Sequence, residues 1–306
     1  MDKIIVNFTP TGMLPQKSET PHVPISPEEI ICDVKVAYEL GISMVHLHAR
    51  NRDDQKPGYQ KEIYAEIIVG IRNFAPELVI CVSTSGRVFN TFEARSDVLS
   101  LEGALKPDMA SLTLSSLNFN KSASMNEPSM ILSLAGRMKE KGIRPELELF
   151  DIGMVNYFNY LVKKSLLFPP YYANLILGNI ACAQGDLLHI GCMIKDFPEE
   201  TFFSLGAVGN PQLTMNSLAI AMGWGVRVGL EDNYWYDEAR TKLATNASLL
   251  KRIHGIIAAN EKAVMSSKEL RQKLNLEPGF GRYGIAGSPP EQVENVASKV
   301  EIDYGQ

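Results

Sequence analysis

Short apolar runs recur along the chain at Ile4–Thr9, Ser43–Ala49, Leu78–Thr84, Asp108–Thr113, Glu146–Phe150, Ala173–Leu177, Phe202–Ala207 and Gly225–Glu231, each of strand length. Between them the apolar positions switch to helical spacing. Such patterns cover Ser26–Leu40, closed by Gly41, and Gln60–Phe74, where Ile63, Ile67 and Ile71 recur at every fourth position. Others cover Glu127–Lys141, Val155–Leu166, Gly185–Lys195 and Pro211–Gly223. Strands apolar on both faces belong to a sheet that is covered on both sides. Eight of them alternating with helices predict an α/β fold, a (β/α)8 TIM barrel spanning about residues 1–262. Beyond the eighth run the pattern predicts a long helix over Tyr236–Ala263. A C-terminal helical extension follows over about 263–306, built from Ser267–Asn275 and Pro289–Val300. The whole chain, 1–306, reads as one domain.

Composition narrows the function classes. A chain of 306 residues that is 45% hydrophobic can bury a large core. Its net charge is −5, with 30 basic and 35 acidic residues and no basic run, which argues against nucleic acid or an anionic membrane as a primary partner. The longest apolar stretches, such as Leu213–Val226, are too short to cross a bilayer and are broken by Asn216 and glycines. The opening Met1-Asp2-Lys3-Ile4 lacks a signal-peptide core, and Cys32, Cys81, Cys182 and Cys192 show no C-x-x-C spacing. Cytoplasm, with reduced thiols, is the expected location.

The strand Met44-Val45-His46-Leu47-His48 carries the sharpest chemistry, because alternate residues of a strand share one face and both imidazoles are therefore aimed at one point. Two buried histidines require partners: hydrogen bonds within the core, or a divalent ion such as zinc. Gly225-Val226-Arg227-Val228-Gly229-Leu230-Glu231-Asp232 puts Arg227 and Glu231 on one face and ends in two acids. Glu231 would complete a His2Glu set with a coordination position left open. Arg144-Pro145-Glu146-Leu147-Glu148 alternates at period two, so Glu146 and Glu148 also share a face, in solvent on an edge strand or toward the histidines on a central one. Ser83-Thr84-Ser85-Gly86 is a hydroxyl-rich turn able to hold a carboxylate or phosphate. In a (β/α)8 barrel these strand ends converge on the C-terminal face.

Taken together, Thr11-Gly12, Pro24-Ile25-Ser26-Pro27-Glu28-Glu29-Ile30, His46-Leu47-His48-Ala49-Arg50, Ser83-Thr84-Ser85-Gly86, Asp108-Met109-Ala110-Ser111-Leu112, Pro145-Glu146-Leu147-Glu148-Leu149-Phe150-Asp151 and Arg227-Val228-Gly229-Leu230-Glu231-Asp232-Asn233 resemble the β-keto acid cleavage enzymes over nearly the whole barrel. The resemblance implies a zinc-containing barrel, a homo-oligomer of tetrameric type, that condenses a β-keto acid with acetyl-CoA to give acetoacetate and a new acyl-CoA. By that likeness His46, His48 and Glu231 hold zinc, and Asp232, Arg227 and Glu146 or Glu148 form the acid–base machinery. Glu148 is favoured because it lies nearer its strand's C-terminal end. Ser83, Thr84, Gly86 and Ser111 orient the keto acid, with Leu14 beside its tail.

The chain departs from the family pattern at Gly12-Met13-Leu14-Pro15, where relatives acting on an amino-keto acid carry an acid, and at Ser85, which stands where a second glycine is usual. The first departure implies a substrate tail without an ammonium group. Two rival functions remain. A zinc hydrolase of the amidohydrolase kind would draw further histidines from middle strands, and only His22, His189 and His254 are left, none in a strand run. A non-catalytic barrel would use the same pocket to hold a carboxylate ligand.

Overall fold

The computed structural model describes residues 3–277 and 282–286. Eight parallel strands close into a barrel. They are β1 (Val6–Phe8), β2 (Met44–Leu47), β3 (Val79–Val82), β4 (Met109–Thr113), β5 (Arg144–Leu149), β6 (Tyr171–Leu177), β7 (Thr201–Ala207) and β8 (Gly225–Val228). Neighbours in sequence are neighbours in space, and Val226 pairing with Val6 closes the ring. The sequence pattern therefore anticipates the architecture strand by strand.

Local signals explain where the outer helices begin. In α1 (Pro27–Leu40), Ser26 caps the first turn and Glu29 reaches back to the Ser26 N–H, with Pro27 just inside the helix. The outer layer continues with α2 (Lys61–Phe74), α3 (Phe92–Ser96), α4 (Pro128–Lys141), α5 (Ile152–Lys163), α6 (Leu187–Ile194), α7 (Pro211–Met222) and α8 (Asn246–Ala259). The helix expected over Tyr236–Ala263 is shorter than its pattern. Asp237 accepts hydrogen bonds from the backbone N–H of Thr241 (3.0 Å) and Lys242 (2.8 Å), which bends Tyr236–Thr245 into a loop, and Thr245 then caps α8. Ala263–Val264 is a strand paired with Lys3–Ile4 rather than the start of a helical extension. The extension is represented by α9 (Ser267–Lys273), while Pro289–Val300 lies outside the described residues.

Strand alternation divides the core into two parts. Val45, Leu47, Ile80 and Val82 point out to the helices and join the large outer cluster. Met44, Val79, Cys81, Met109 and Tyr172 point inward and meet Met265, Leu270 and Leu274, which plug the bottom of the barrel. Each such buried side chain contributes roughly 1.5–3 kcal/mol of transfer free energy. Higher in the barrel the inward positions turn polar: Asn7, His46, Ser111, Glu146 and Arg227, all buried. An apolar floor below a polar mouth fixes where chemistry can occur. All four cysteines are unpaired, and no helix among the described residues is long and apolar enough to cross a membrane.

Candidate active site and metal centre

His46 lies on β2 and His48 just past its end, and their Nε2 atoms stand 3.2 Å apart. Glu231 follows β8 on a turn that begins at Gly229, where any Cβ would overlap the Thr9 carbonyl. That close approach brings Glu231 Oε1 within 3.1 Å of His48 Nε2. The His48 nitrogen carries at most one hydrogen, and no tautomer makes two good hydrogen bonds from it at once. Glu231 Oε2 is buried with no partner. Both difficulties vanish if a cation sits among the three donors, and donors about 2.1 Å from a tetrahedral ion stand roughly 3.4 Å apart, close to the 3.2 and 3.1 Å spacings found. The donor set fits a divalent cation better than it fits a pair of hydrogen-bonded core histidines.

Glu146 supports this arrangement from below. Its Oε2 meets His46 Nδ1 at 2.5 Å and accepts from Cys81 Sγ at 3.1 Å, while its Oε1 accepts from Asn7 Nδ2 at 2.7 Å. A carboxylate on Nδ1 fixes the tautomer that leaves Nε2 free to bind a metal. Burial raises the Glu146 pKa but the adjacent His46 more than reverses this, holding it at about 2. Burial lowers that of His46, yet Glu146 and Glu231 lift it to about 9. The trio His46, Cys81 and Glu146 also clusters, but the 2.5 Å contact leaves no room for an ion within it. Asn7 and Cys81 carry no sequence motif. Each sits alone in an apolar run, and only the inward register of its strand marks it.

Arg227 organises the acids at the mouth. Its Nε donates to Asp232 Oδ2 at 2.9 Å, its Nη2 donates to Glu231 Oε1 at 2.8 Å, and Nη1 stands 3.9 Å from Glu148 Oε1. Burial and the neighbouring Glu231 raise the Asp232 carboxyl against the pull of Arg227, to about 6. Burial opposes ionisation of Glu231, but His48 and Arg227 outweigh it and hold that carboxyl well below the usual range. Glu148 accepts from Thr113 Oγ1 at 2.6 Å and lies higher than Glu146, nearer the opening. The paired glutamates thus differ in placement: Glu146 sits under a histidine, and Glu148 beside the arginine at the mouth.

The hydroxyl turn closes one side. Ser111 Oγ accepts from the Thr84 N–H at 3.1 Å, Thr84 Oγ1 donates to the Ser111 carbonyl at 2.6 Å, and Ser83 and Thr84 line the cleft with His48. Gly86 has no room for a side chain, because Met125 O and Arg95 crowd its Cβ position. On the opposite side Arg50 clamps the Gly12–Pro15 turn through the carbonyls of Gly12 (3.0 Å) and Pro15 (2.7 Å). Met13 from that turn lines the cleft, whereas Leu14 is 45% exposed. Arg50 is a further residue not singled out from sequence. Its signal was a charged residue following two histidines in an apolar run. Among the described residues the candidate metal groups include no histidine besides His46 and His48, which removes the feature an amidohydrolase-type site requires.

A (β/α)8 barrel with a cation-competent donor set beside a buried arginine and several carboxylates at its C-terminal mouth defines a class of enzymes that work by acid–base chemistry. Residues 3–276 match the family described as beta-keto acid cleavage enzyme, and the chain belongs to that family. It is 32% identical over 280 residues to the 3-keto-5-aminohexanoate cleavage enzyme of Acetoanaerobium sticklandii, covering 90% of this chain and 99% of that one. It is 32% identical over 276 residues to the 3-oxoadipate:acetyl-CoA acetyltransferase of Cupriavidus necator, covering 89% and 94%. Among solved structures, the apo structure of ObcA matches in fold with a TM-score of 0.71 at 19% identity, covering 85% of this chain and 66% of that longer chain. The chain is accordingly an enzyme of the beta-keto acid cleavage family.

Proposed function

We propose that this barrel condenses a β-keto acid with acetyl-CoA and releases acetoacetate and the exchanged acyl-CoA, with zinc held by His46, His48 and Glu231. The observation that carries the reading is the convergence of three donor atoms on one point beside Asp232 and Arg227. Zinc, when bound, supplies a Lewis acid that acidifies the carbon between the ketone and carboxylate of the substrate. Asp232, the carboxylate adjoining Glu231, removes a proton from that carbon. Arg227 offsets the negative charge that develops there. A carbon–carbon bond then forms between this carbon and the acetyl carbonyl, and CoA leaves as thiolate. The thiolate attacks the original ketone, the bond from that ketone to the central carbon breaks, and Asp232 returns its proton to the released acetoacetate. Ser83 and Ser111 hold the substrate carboxylate through this sequence, with Ser111 kept in place by the Thr84 N–H and hydroxyl.

The purified protein should contain about one zinc per chain, and mass analysis of acyl-CoA products should reveal exchange with β-keto acids. His46→Ala, His48→Ala and Glu231→Ala should each lose metal and activity together. Retention of full metal by all three variants would exclude this ligand set.

A further inference from the structure

Two turns flank the candidate metal centre, residues 10–15 after β1 and residues 229–233 after β8, and both lie past the ends of their strands. Between them the Glu231 N–H meets the Thr9 carbonyl at 3.2 Å, and Gln212 Nε2 donates to the Gly229 carbonyl at 3.1 Å. The side chain that reaches both turns is that of Asn246, the first residue of α8, which is 2% exposed. Its Oδ1 accepts from the Leu230 N–H at 2.9 Å, and its Nδ2 donates to the Pro10 carbonyl at 3.0 Å and to Asp33 Oδ2 on α1 at 2.6 Å. Four separate parts of the chain meet on one amide.

Nothing in α8 itself calls for this residue. Thr245 caps the helix, its side chain accepting from the Ser248 N–H, so the Asn246 amide makes all its bonds to other elements. Those three bonds engage both amide hydrogens and the carbonyl oxygen. Asp33 decides which way round the amide sits, because a carboxylate only accepts and therefore faces the NH2 end, which turns Oδ1 to the Leu230 N–H. A reversed amide would set N–H against N–H. Leu230 immediately precedes Glu231, and Pro10 lies two residues before Gly12, whose Cβ position is only 2.6 Å from Glu231 Cγ. One amide thereby bears on the candidate ligand and on the turn pressed against it.

We propose that Asn246, oriented by Asp33, is a positioning residue of the active site: it acts through Leu230 and Pro10 to hold Glu231 where the His46 and His48 nitrogens converge. This rests on the metal-dependent reading above and adds the pair that sets its ligand geometry.

The test loads the full-length protein with cobalt(II) in place of zinc, because the visible absorption of cobalt follows its coordination geometry whereas d¹⁰ zinc has none. Asn246→Leu, similar in shape but without hydrogen-bonding atoms, should alter that spectrum. It should also weaken metal binding about tenfold in a chelator competition, the lower end of the 10- to 100-fold range for groups that support a ligand. Asp33→Ala should move both readouts in the same direction by less, while Asp33→Asn, which keeps an acceptor at that point, should stay close to wild type. The exchange of the pair, Asn246→Asp with Asp33→Asn, retains an acceptor for the Leu230 N–H and rebuilds the bond to α1, so it should recover most of the loss. Asp108→Asn, at the far end of the barrel, should lower the melting temperature without moving the spectrum. Wild-type affinity and spectrum in Asp33→Ala, or in folded Asn246→Leu, overturn the inference, as does an equal spectral change in Asp108→Asn. A wild type that binds neither zinc nor cobalt overturns the proposed function itself, and this inference with it.

Discussion

At the level of single residues, two buried carboxylates of the same site have different tasks because they contact different groups. Among the charged side chains of the described residues Asp232 pairs with Arg227, whereas Glu146 is wedged beneath His46 among Asn7 and Cys81. Asp232→Asn should therefore keep its metal and lose substrate proton exchange in deuterated water by roughly 10²- to 10⁴-fold, the usual worth of a positioned base. Glu146→Gln should do the reverse, weakening metal affinity roughly 10- to 100-fold in a chelator competition, since it supports a ligand rather than touching substrate. Wild-type exchange in Asp232→Asn would transfer the base role to Glu148. The histidines, Arg227, Glu231 and Asp232 were legible in the sequence because charge at the end of an apolar run is conspicuous. Asn7, Cys81 and Tyr172 were not, since a lone small polar, thiol or phenol group inside such a run reads as ordinary core until its neighbours across the barrel are known.

Secondary-structure elements locate these residues through close approach as much as through strand register. Gly12 has φ +66°, and a Cβ there would stand 2.6 Å from Glu231 Cγ. The turn from Gly12 to Pro15 is thereby pressed against the candidate ligand on one side and clamped by Arg50 on the other. Gly12→Ala adds about 1–2 kcal/mol of left-handed backbone strain and forces Glu231 to move. Metal affinity should fall by more than the modest drop in melting temperature accounts for; unchanged affinity would show that Glu231 is positioned without this turn. Strand periodicity conveyed the barrel well, since each of the eight strands overlaps a run recognised from its apolar pattern, with β5, β6 and β7 beginning one or two residues before theirs. Helix periodicity misled at Tyr236–Thr245, where apolar spacing continues but the Asp237 side chain captures the Thr241 and Lys242 N–H groups. A side chain that competes for backbone donors is invisible to a count of apolar positions.

For the molecule as a whole, the bottom of the barrel is fastened by charge buried far from the site. Asp108, at the foot of β4 and fully buried, receives Arg271 from α9 at 2.8 and 2.9 Å, Arg72 from α2 at 2.9 Å and the Ile80 N–H at 2.8 Å. Tyr283 stacks on the Arg72 guanidinium, 3.5 Å from ring centroid to Cζ, and adds the last described segment to the cluster. Burial raises the Asp108 carboxyl, but the two guanidinium groups outweigh it and its pKa lies below the usual value. A carboxyl depressed on folding contributes stability in full above its unfolded pKa, about 3.9, and loses it as pH falls through the lower folded value. Asp108→Asn should cost roughly 3–5 kcal/mol at neutral pH, because it leaves two buried cations uncompensated. Denaturant titrations of both proteins from neutral into acid conditions should show this difference shrinking as the wild-type carboxyl takes up its proton. Metal content and proton exchange of the variant should stay at wild-type levels wherever it remains folded. A penalty independent of pH would show that Asp108 acts through shape and hydrogen bonding alone, and that the charge of this cluster does not hold α9 to the barrel.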